Sequence, residues 1–424
     1  MGGWCGRTTG APHRDGRGCP RVAVRSRRAR LALKAVMAPP LHALARPGPA
    51  GLYVGPPIVK DQRGRPSPPL APLGESDIAR CIAVLGGRWK GGRVSLLTYL
   101  TDPGYQGAWA LGLSAAYHGI PLVVQGLGMR WGGVGFKLSA VRRATQILQA
   151  LRPNAPVVFA DGSDTVVANS PQHLRLKDRR RTMMLSGECG SFPLCYEKHY
   201  EQHEAHQACR RSSHSCYPNS GVYIGHPEAL LEVLPALRTF ASTGTGVEHN
   251  EDQSAANRLY YSQAGNASQP YRVEVDGDSE LFLSLYNCKG PRVRRFDRFT
   301  LCHYGHHDPL RYVQRVDKVS LSYNYSGRAT RPFIVHSSGM HQRLNTAYFG
   351  SGRPQVGAPR NWTDLFVPDR ATAAAARAHP VLLVDSVAHG LCHVTTLGEL
   401  TSGTQGRIPH RTADRLNESR IEAT

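Results

Sequence analysis

Val157-Val158-Phe159-Ala160-Asp161-Gly162-Ser163-Asp164-Thr165-Val166-Val167 decides how this chain is read. The first apolar run is short, β-branched and bounded by Pro156 and a turn, so it reads as a fully buried strand. It delivers two carboxylates three residues apart, and a second apolar run follows at once. The carboxyl ends of such strands are where open α/β sheets hold their ligands. Carboxylates packed this closely repel each other unless a cation lies between them, and hard oxygen donors suit Mg²⁺ or Mn²⁺. An ion held there can in turn grip a diphosphate. The same spacing also occurs as a capped turn or a solvated loop, so the pair alone does not choose.

The flanking sequence sets the pair in a sheet. Val94 to Leu100 reads as a first strand, and Gly107 to Tyr117 as a helix, with Trp109, Leu111, Leu113 and Ala116 at helical spacing. Pro121 to Val124 is a second strand. Next come the Gly-rich turn Gly126 to Lys137 and a helix from Leu138 to Leu151. Strand–helix–strand–helix–strand begins a parallel sheet with right-handed crossovers. Later strands are expected near 222–225, 272–276 and 332–336, and the class is α/β with a mixed sheet and flanking helices. A Gly-rich turn before a helix, with Lys137 at the helix start, suits phosphate; a plain flexible loop has the same composition.

Several blocks, in order, resemble the glycosyltransferase domain of the multifunctional procollagen lysyl hydroxylases. Leu127-Gly-Met-Arg-Trp131-Gly-Gly with Gly135-Phe-Lys137 is similar to the family's Trp-Arg-Gly-Gly and Gly-Gly-Gly-Gln-Lys. Phe159-Ala-Asp161-Gly-Ser-Asp164 is similar to its Phe-x-Asp-x-x-Asp, and Leu185-Ser-Gly-Glu188 to its Phe-Ser-Ala-Glu. Asn219-Ser-Gly-Val-Tyr-Ile-Gly225 resembles Asn-Ser-Gly-Gly-Phe-Ile-Gly. Glu251-Asp252-Gln253 with Tyr260 resembles an acidic run, Asp-Asp-Gln and then Tyr. Val275-Asp276 to Phe282 and Ile334-Val-His336-Ser-Ser-Gly339 complete the series.

The resemblance implies a GT-A, Rossmann-like fold, a UDP-sugar donor and a manganese (or magnesium) ion. It implies that Asp161, Asp164 and His336 hold the metal. Lys137 would touch the diphosphate and Trp131 would stack on uracil. Ser163 takes the donor-side position where the family tends to place an aromatic residue. Asn219, Asp252 and Gln253 would lie on the sugar and acceptor side, as catalytic candidates. An imidazole with two carboxylates is an N/O donor set that suits Mn²⁺. The activity implied is transfer of a hexose, glucose or galactose, to a hydroxyl-bearing protein or glycan acceptor.

Each residue also has a plainer reading. His336 ends a Phe-Ile-Val run and fits a packed strand-end histidine; Trp131 fits a core anchor. Asp252 fits a solvated helix start, and Asn219, after Pro218, fits a turn. The chain also departs from the family: Ser338 replaces an amide-bearing residue, and His249 and Asn250 thin the acidic run. No His-x-Asp with a distant His follows, so an iron- and oxoglutarate-dependent hydroxylase is not expected. A catalytically silent carbohydrate- or partner-binding protein on the same fold is the alternative.

Composition bounds the remainder. The net charge of the 424 residues is +21, but residues 1–90 hold 16 Lys or Arg against 4 Asp or Glu, which is +12 of it. That Pro- and Gly-rich stretch lacks apolar periodicity and reads as a disordered or targeting leader. No zinc-finger or recognition-helix pattern accompanies its arginines, so specific nucleic-acid recognition is not expected. Its apolar run, Leu31 to Ala38, is too short to span a bilayer. The division expected is leader 1–90, transferase domain 91–362 and an unassigned tail 363–424, with a helix at 371–379 and a strand at 380–384. Cys189, Cys195, Cys209 and Cys216 bunch in an insertion, 189–216. They are expected to pair among themselves, with a zinc site using His199, His203, His206 and His214 as the rival. The cysteines, with sequons at Asn266, Asn324, Asn361 and Asn417, favour the secretory lumen (Golgi or endoplasmic reticulum) over an organelle reached by a transit peptide.

Overall fold

The computed structural model describes residues 59–60, 66–67, 70–85, 92–101, 106–129, 131–162, 164–174, 179–201, 203–244, 251–263, 269–289, 292–296, 299–303, 306–337, 347–348, 365–366 and 369–400. Ser163, Ser338, the sequons at Asn266, Asn361 and Asn417, and most of the leader lie outside them.

The first half alternates as the sequence predicts. Helix α1 is Glu75–Leu85, β1 Ser95–Tyr99, α2 Gln106–Tyr117, β2 Leu122–Gln125, α3 Val134–Leu151, β3 Val157–Ala160 and β4 Thr165–Val167. Then come β5 Thr182–Glu188, α4 Glu204–Ser212, β6 Tyr217–Gly225, α5 Pro227–Thr243, α6 Asp252–Ser262, β7 Arg272–Asp276 and β8 Phe282–Ser284. The later elements used below are β9 Leu321–Tyr325, β10 Arg328–Thr330, β11 Ile334–His336, α7 Arg370–Arg377, β12 Pro380–Ser386 and β13 Gly390–Thr396.

The main sheet is mixed and eight-stranded, in the order β7-β5-β6-β3-β1-β2-β12-β13. Strands β3, β1, β2 and β12 run parallel, while β6 is antiparallel to both of its neighbours and β13 to β12. A second sheet, β8-β11-β4, branches from it. Side chains alternate between the two faces of the main sheet, as the pleat requires. Leu97, Tyr99, Val123, Val157 and Phe159 pack on one side with α1, α3, α5 and α6. Leu96, Leu122, Val124, Val158 and Ala160 pack on the other with Leu111 and Ala115 of α2 and with Phe282 and Ile334 of the second sheet. This double coverage explains why the strands read as unbroken apolar runs.

Three expectations change. Helix α3 starts at Val134, four residues early, because Gly133 takes φ 92° at its N-cap, so Lys137 falls within the first turn. Asn219 is not in a turn: β6 begins at Tyr217, and Asn219 pairs with Ser186 where the β5–β6 register shifts. The domain does not stop at 90 and 362. Cys81 of α1 is bonded to Cys392 of β13, and β12 pairs with β2 as an integral strand of the main sheet.

The cysteines also pair differently from the expectation. Cys209 joins Cys216 within the insertion, but Cys189 reaches out to Cys288, and Cys195 is disulfide-bonded as well. Spacing favours local partners, yet the chain beyond Phe282 folds back beside β5. With these sulfurs oxidised, no thiolate is left in the insertion for zinc. Among the described residues no helix is long and apolar enough to cross a membrane.

Candidate functional site

The Asp-x-x-Asp turn passes from one sheet to the other. Asp161 follows β3 in the main sheet, and Asp164 precedes β4 in the second. Strand β11 lies antiparallel to β4 with His336 opposite Thr165, which brings the imidazole to the turn. The Ser337 amide donates to the Asp164 carbonyl at 3.0 Å, and the Asp161 amide donates to the Gly221 carbonyl at 2.8 Å. One ligand atom each from Asp161, Asp164 and His336 lies within 4.8 Å of the others. His336 Nε2 is 3.5 Å from Asp164 Oδ2, both side chains being buried. A Cβ at Gly221 would come 2.4 Å from His336 Cε1, so the missing side chain is the seat of the ring.

Charge in this turn is under-compensated. Burial lifts the Asp161 pKa; the Lys137 ammonium opposes it, Asp252 and Asp164 reinforce it, and the net shift is upward. Burial alone would lower the pKa of His336, but Asp164, Asp161 and Glu188 outweigh it and raise it. His336 Nδ1 is buried with no hydrogen-bond partner among the described residues. A donor set of two carboxylates and an imidazole this close, with Asp164 and His336 buried and Asp161 half-buried, fits a divalent cation.

Lys137 stands differently from its sequence reading. Its ammonium donates to Asp161 Oδ1 at 2.7 Å and to Asp252 Oδ2 at 2.8 Å, and it lies 5.1 Å from the centroid of the Phe159 ring. Burial would lower its pKa, but the two carboxylates overcome that and raise it. For Asp252 burial pushes upward, yet Lys137 prevails and holds it below the usual carboxylate range. Lys137 therefore ties Asp161 to Asp252, the first residue of α6.

Beside this pair, Glu188 ends β5 and is buried. Asn219 Nδ2 donates to its Oε2 at 3.0 Å and Gln253 Nε2 to its Oε1 at 2.8 Å. The oxygen of each amide is also occupied: Asn219 Oδ1 accepts from the Gly221 amide at 2.9 Å, and Gln253 Oε1 from the Ser220 amide at 2.7 Å. Asp161, Asp164, His336, Glu188, Asn219, Asp252, Gln253 and Glu251 line one cleft of about 320 Å³, with Phe192 and Tyr286 as its aromatic members. Glu251 caps α6 and accepts from the Ser254 amide; burial and the neighbouring Asp252 push its pKa up to about 8.

The structure thus gathers Asp161, Asp164, His336, Asn219, Asp252 and Gln253 around one cavity. Trp131 and Lys137 are not among its lining residues. Trp131 is half-buried and tilted against Tyr99, with ring centroids 5.6 Å apart, so in this structure it anchors the core. Ser163 and Ser338 lie outside the described residues. Sequence reading gave no role to Glu188, although it stood in a quoted block; a carboxylate at the end of a buried strand was the signal. Tyr286 carried none.

No family model matches the chain, and no curated protein matches it. Solved structures resembling parts of it include a glycosyltransferase involved in glycosylation of the major capsid of PBCV-1. That match has 12% identity, 45% of this chain, 84% of that one and TM-score 0.31. The bifunctional glycosyltransferase WbbM has 13% identity over 51% of this chain and 46% of its own, with TM-score 0.28. The galactosyltransferase LgtC, solved with donor and acceptor sugar analogues, has 14% identity over 62% and 98%, with TM-score 0.30. Scores of this size do not establish a common fold, and the functional reading rests on the site.

Proposed function

We propose that the chain is a metal-dependent glycosyltransferase of GT-A type, similar to the transferase domain of the procollagen lysyl hydroxylases. It moves a hexose, glucose or galactose, from a UDP-sugar to a hydroxyl on a protein or glycan. The observation that carries this reading is the convergence of Asp161, Asp164 and His336 at the carboxyl end of β3. The disulfides support the secretory lumen as its compartment.

Asp161, Asp164 and His336 would hold Mn²⁺, or Mg²⁺, and the bound ion would supply Lewis-acid neutralisation of the diphosphate leaving group. The protein's own contribution is placement. Lys137 fixes Asp161 and Asp252 in one geometry. Asn219 and Gln253 present Glu188 to the cleft with each carboxylate oxygen already oriented. Donors and acceptors held in this way need no reorganisation when sugar hydroxyls arrive. Asp252, Gln253 and Asn219 line the cleft and would lie on its sugar and acceptor side.

The test is release of UDP from UDP-glucose and UDP-galactose by the full chain, with and without manganese. Full length is needed because α1 and β12–β13 belong to the fold. Manganese-dependent release that disappears in Asp164→Ala is expected. Donor binding without turnover under all conditions would favour the silent binding protein instead.

A further inference from the structure

We propose that Asn324 carries an N-linked oligosaccharide; this rests on the lumenal reading given above. Asn324-Tyr325-Ser326 is an Asn-x-Ser acceptor sequence on a described part of the surface. It occupies the tip of the β9–β10 hairpin. Ser326 and Gly327 form the two-residue turn at φ 52° and 78°, the positive values that a tight hairpin requires.

The pleat turns this segment to suit the modification. Tyr323 is buried and Tyr325 half-buried on one face, so Asn324 between them points to the other. Asn324 is exposed. Its directly opposed cross-strand neighbour is Ala329, also exposed and too small to crowd a sugar. The backbone of Asn324 is committed, its amide donating to the Tyr312 carbonyl at 2.9 Å, while the side-chain amide has no hydrogen-bond partner among the described residues. A glycan there displaces nothing from the fold.

Transfer to a sequon acts on the newly made chain, so the folded structure need only tolerate the product. Asn324 Nδ2 attacks the anomeric carbon of an oligosaccharide carried on a lipid diphosphate. The new N–C bond forms as the C–O bond to the diphosphate breaks; the lipid diphosphate departs, and the amide proton passes to a base of the transferring enzyme. The disulfides favour the lumen, the compartment where that donor is found.

The experiment is expression of the full chain in animal cells, release of glycans by peptide N-glycosidase in heavy-oxygen water, and peptide mass mapping alongside disulfide mapping. Asn324 should appear as labelled Asp. Asn324→Gln should remove the label, as should Ser326→Asn, which keeps a residue tolerant of the left-handed turn. Neither should alter donor binding. An unlabelled Asn324 in a chain whose Cys209–Cys216 and Cys189–Cys288 bonds have formed overturns the site while leaving the lumen intact. An unlabelled Asn324 with free thiols overturns both.

Discussion

His336 and Asp164 meet at 3.5 Å because β11 lies antiparallel to β4 with His336 opposite Thr165. If this contact belongs to a metal site, His336→Ala should weaken manganese and donor binding together, by about 10–100-fold or more, taking outer-shell partners as the lower guide. His336→Asp should recover part of the loss, since a carboxylate also suits the ion. Isothermal titration of both ligands decides it: unchanged manganese affinity with a lowered melting temperature would leave His336 a packing residue.

Gly221→Ala tests the same seat without touching a ligand. Its Cβ would fall 2.4 Å from His336 Cε1 and 2.7 Å from Nε2. The ring must move, and overpacking of this kind costs about 1–3 kcal/mol. Manganese affinity should fall at least tenfold in an otherwise folded protein, read by electron paramagnetic resonance of free Mn²⁺. Retained affinity would mean that the ring does not need its present position.

Lys137→Met leaves Asp161 and Asp252 facing each other without their shared cation. Removing one partner of a buried ion pair costs about 3–5 kcal/mol. Urea denaturation should show a loss of that order, and adding Asp252→Asn should recover a good part of it. A loss confined to UDP affinity, with stability unchanged, would instead restore Lys137 as a direct diphosphate contact.

Acid sensitivity should arise partly from His206. Burial, aided by Arg210, lowers its pKa to about 4; its ring stacks on Tyr200 at 4.4 Å and its Nδ1 pairs with the Cys216 carbonyl at 3.1 Å. The folded state therefore favours neutral imidazole. The associated stability is complete above the unfolded value near 6.5 and is lost as pH falls toward 4. Relative to His206→Phe, the wild type should lose about 3 kcal/mol across that window. Parallel denaturation curves for the two proteins at pH 7 and pH 4 would refute this.

Cys392→Ser should lower stability by about 2–5 kcal/mol, as for other native disulfides. The Cys81–Cys392 bond fastens α1 to β13 at the sheet's edge. Thermal melts with and without reductant should differ for the wild type, and the mutant should match the reduced protein except for the contributions of the other bonds.

The local readings that held share one property: their signal lies within a few residues. Val157–Ala160 and Leu122–Gln125 are strands where apolar runs end in turns, Arg272–Asp276 is a strand of alternating polar and apolar residues, and Asp161 and Asp164 follow directly on the first of them. The helix at Arg370–Arg377 and the strand at Pro380–Ser386 were equally visible. The strand's membership in the main sheet was not, because a strand's partner is not written in its own sequence.

By itself the sequence determined the α/β class, six of the eight strands of the main sheet and the carboxylate pair, since hydrophobic period and turn chemistry are local properties. Tertiary structure alone decided the rest. It set Lys137 between Asp161 and Asp252 instead of at an open loop, because α3 begins early and buries that amine. It joined Cys189 to Cys288 across 99 residues, and it placed Glu188 between two amides drawn from β6 and α6. These contacts depend on which strands become neighbours. That choice is made by burying both faces of the whole sheet at once, a collective energy that no short window of residues contains.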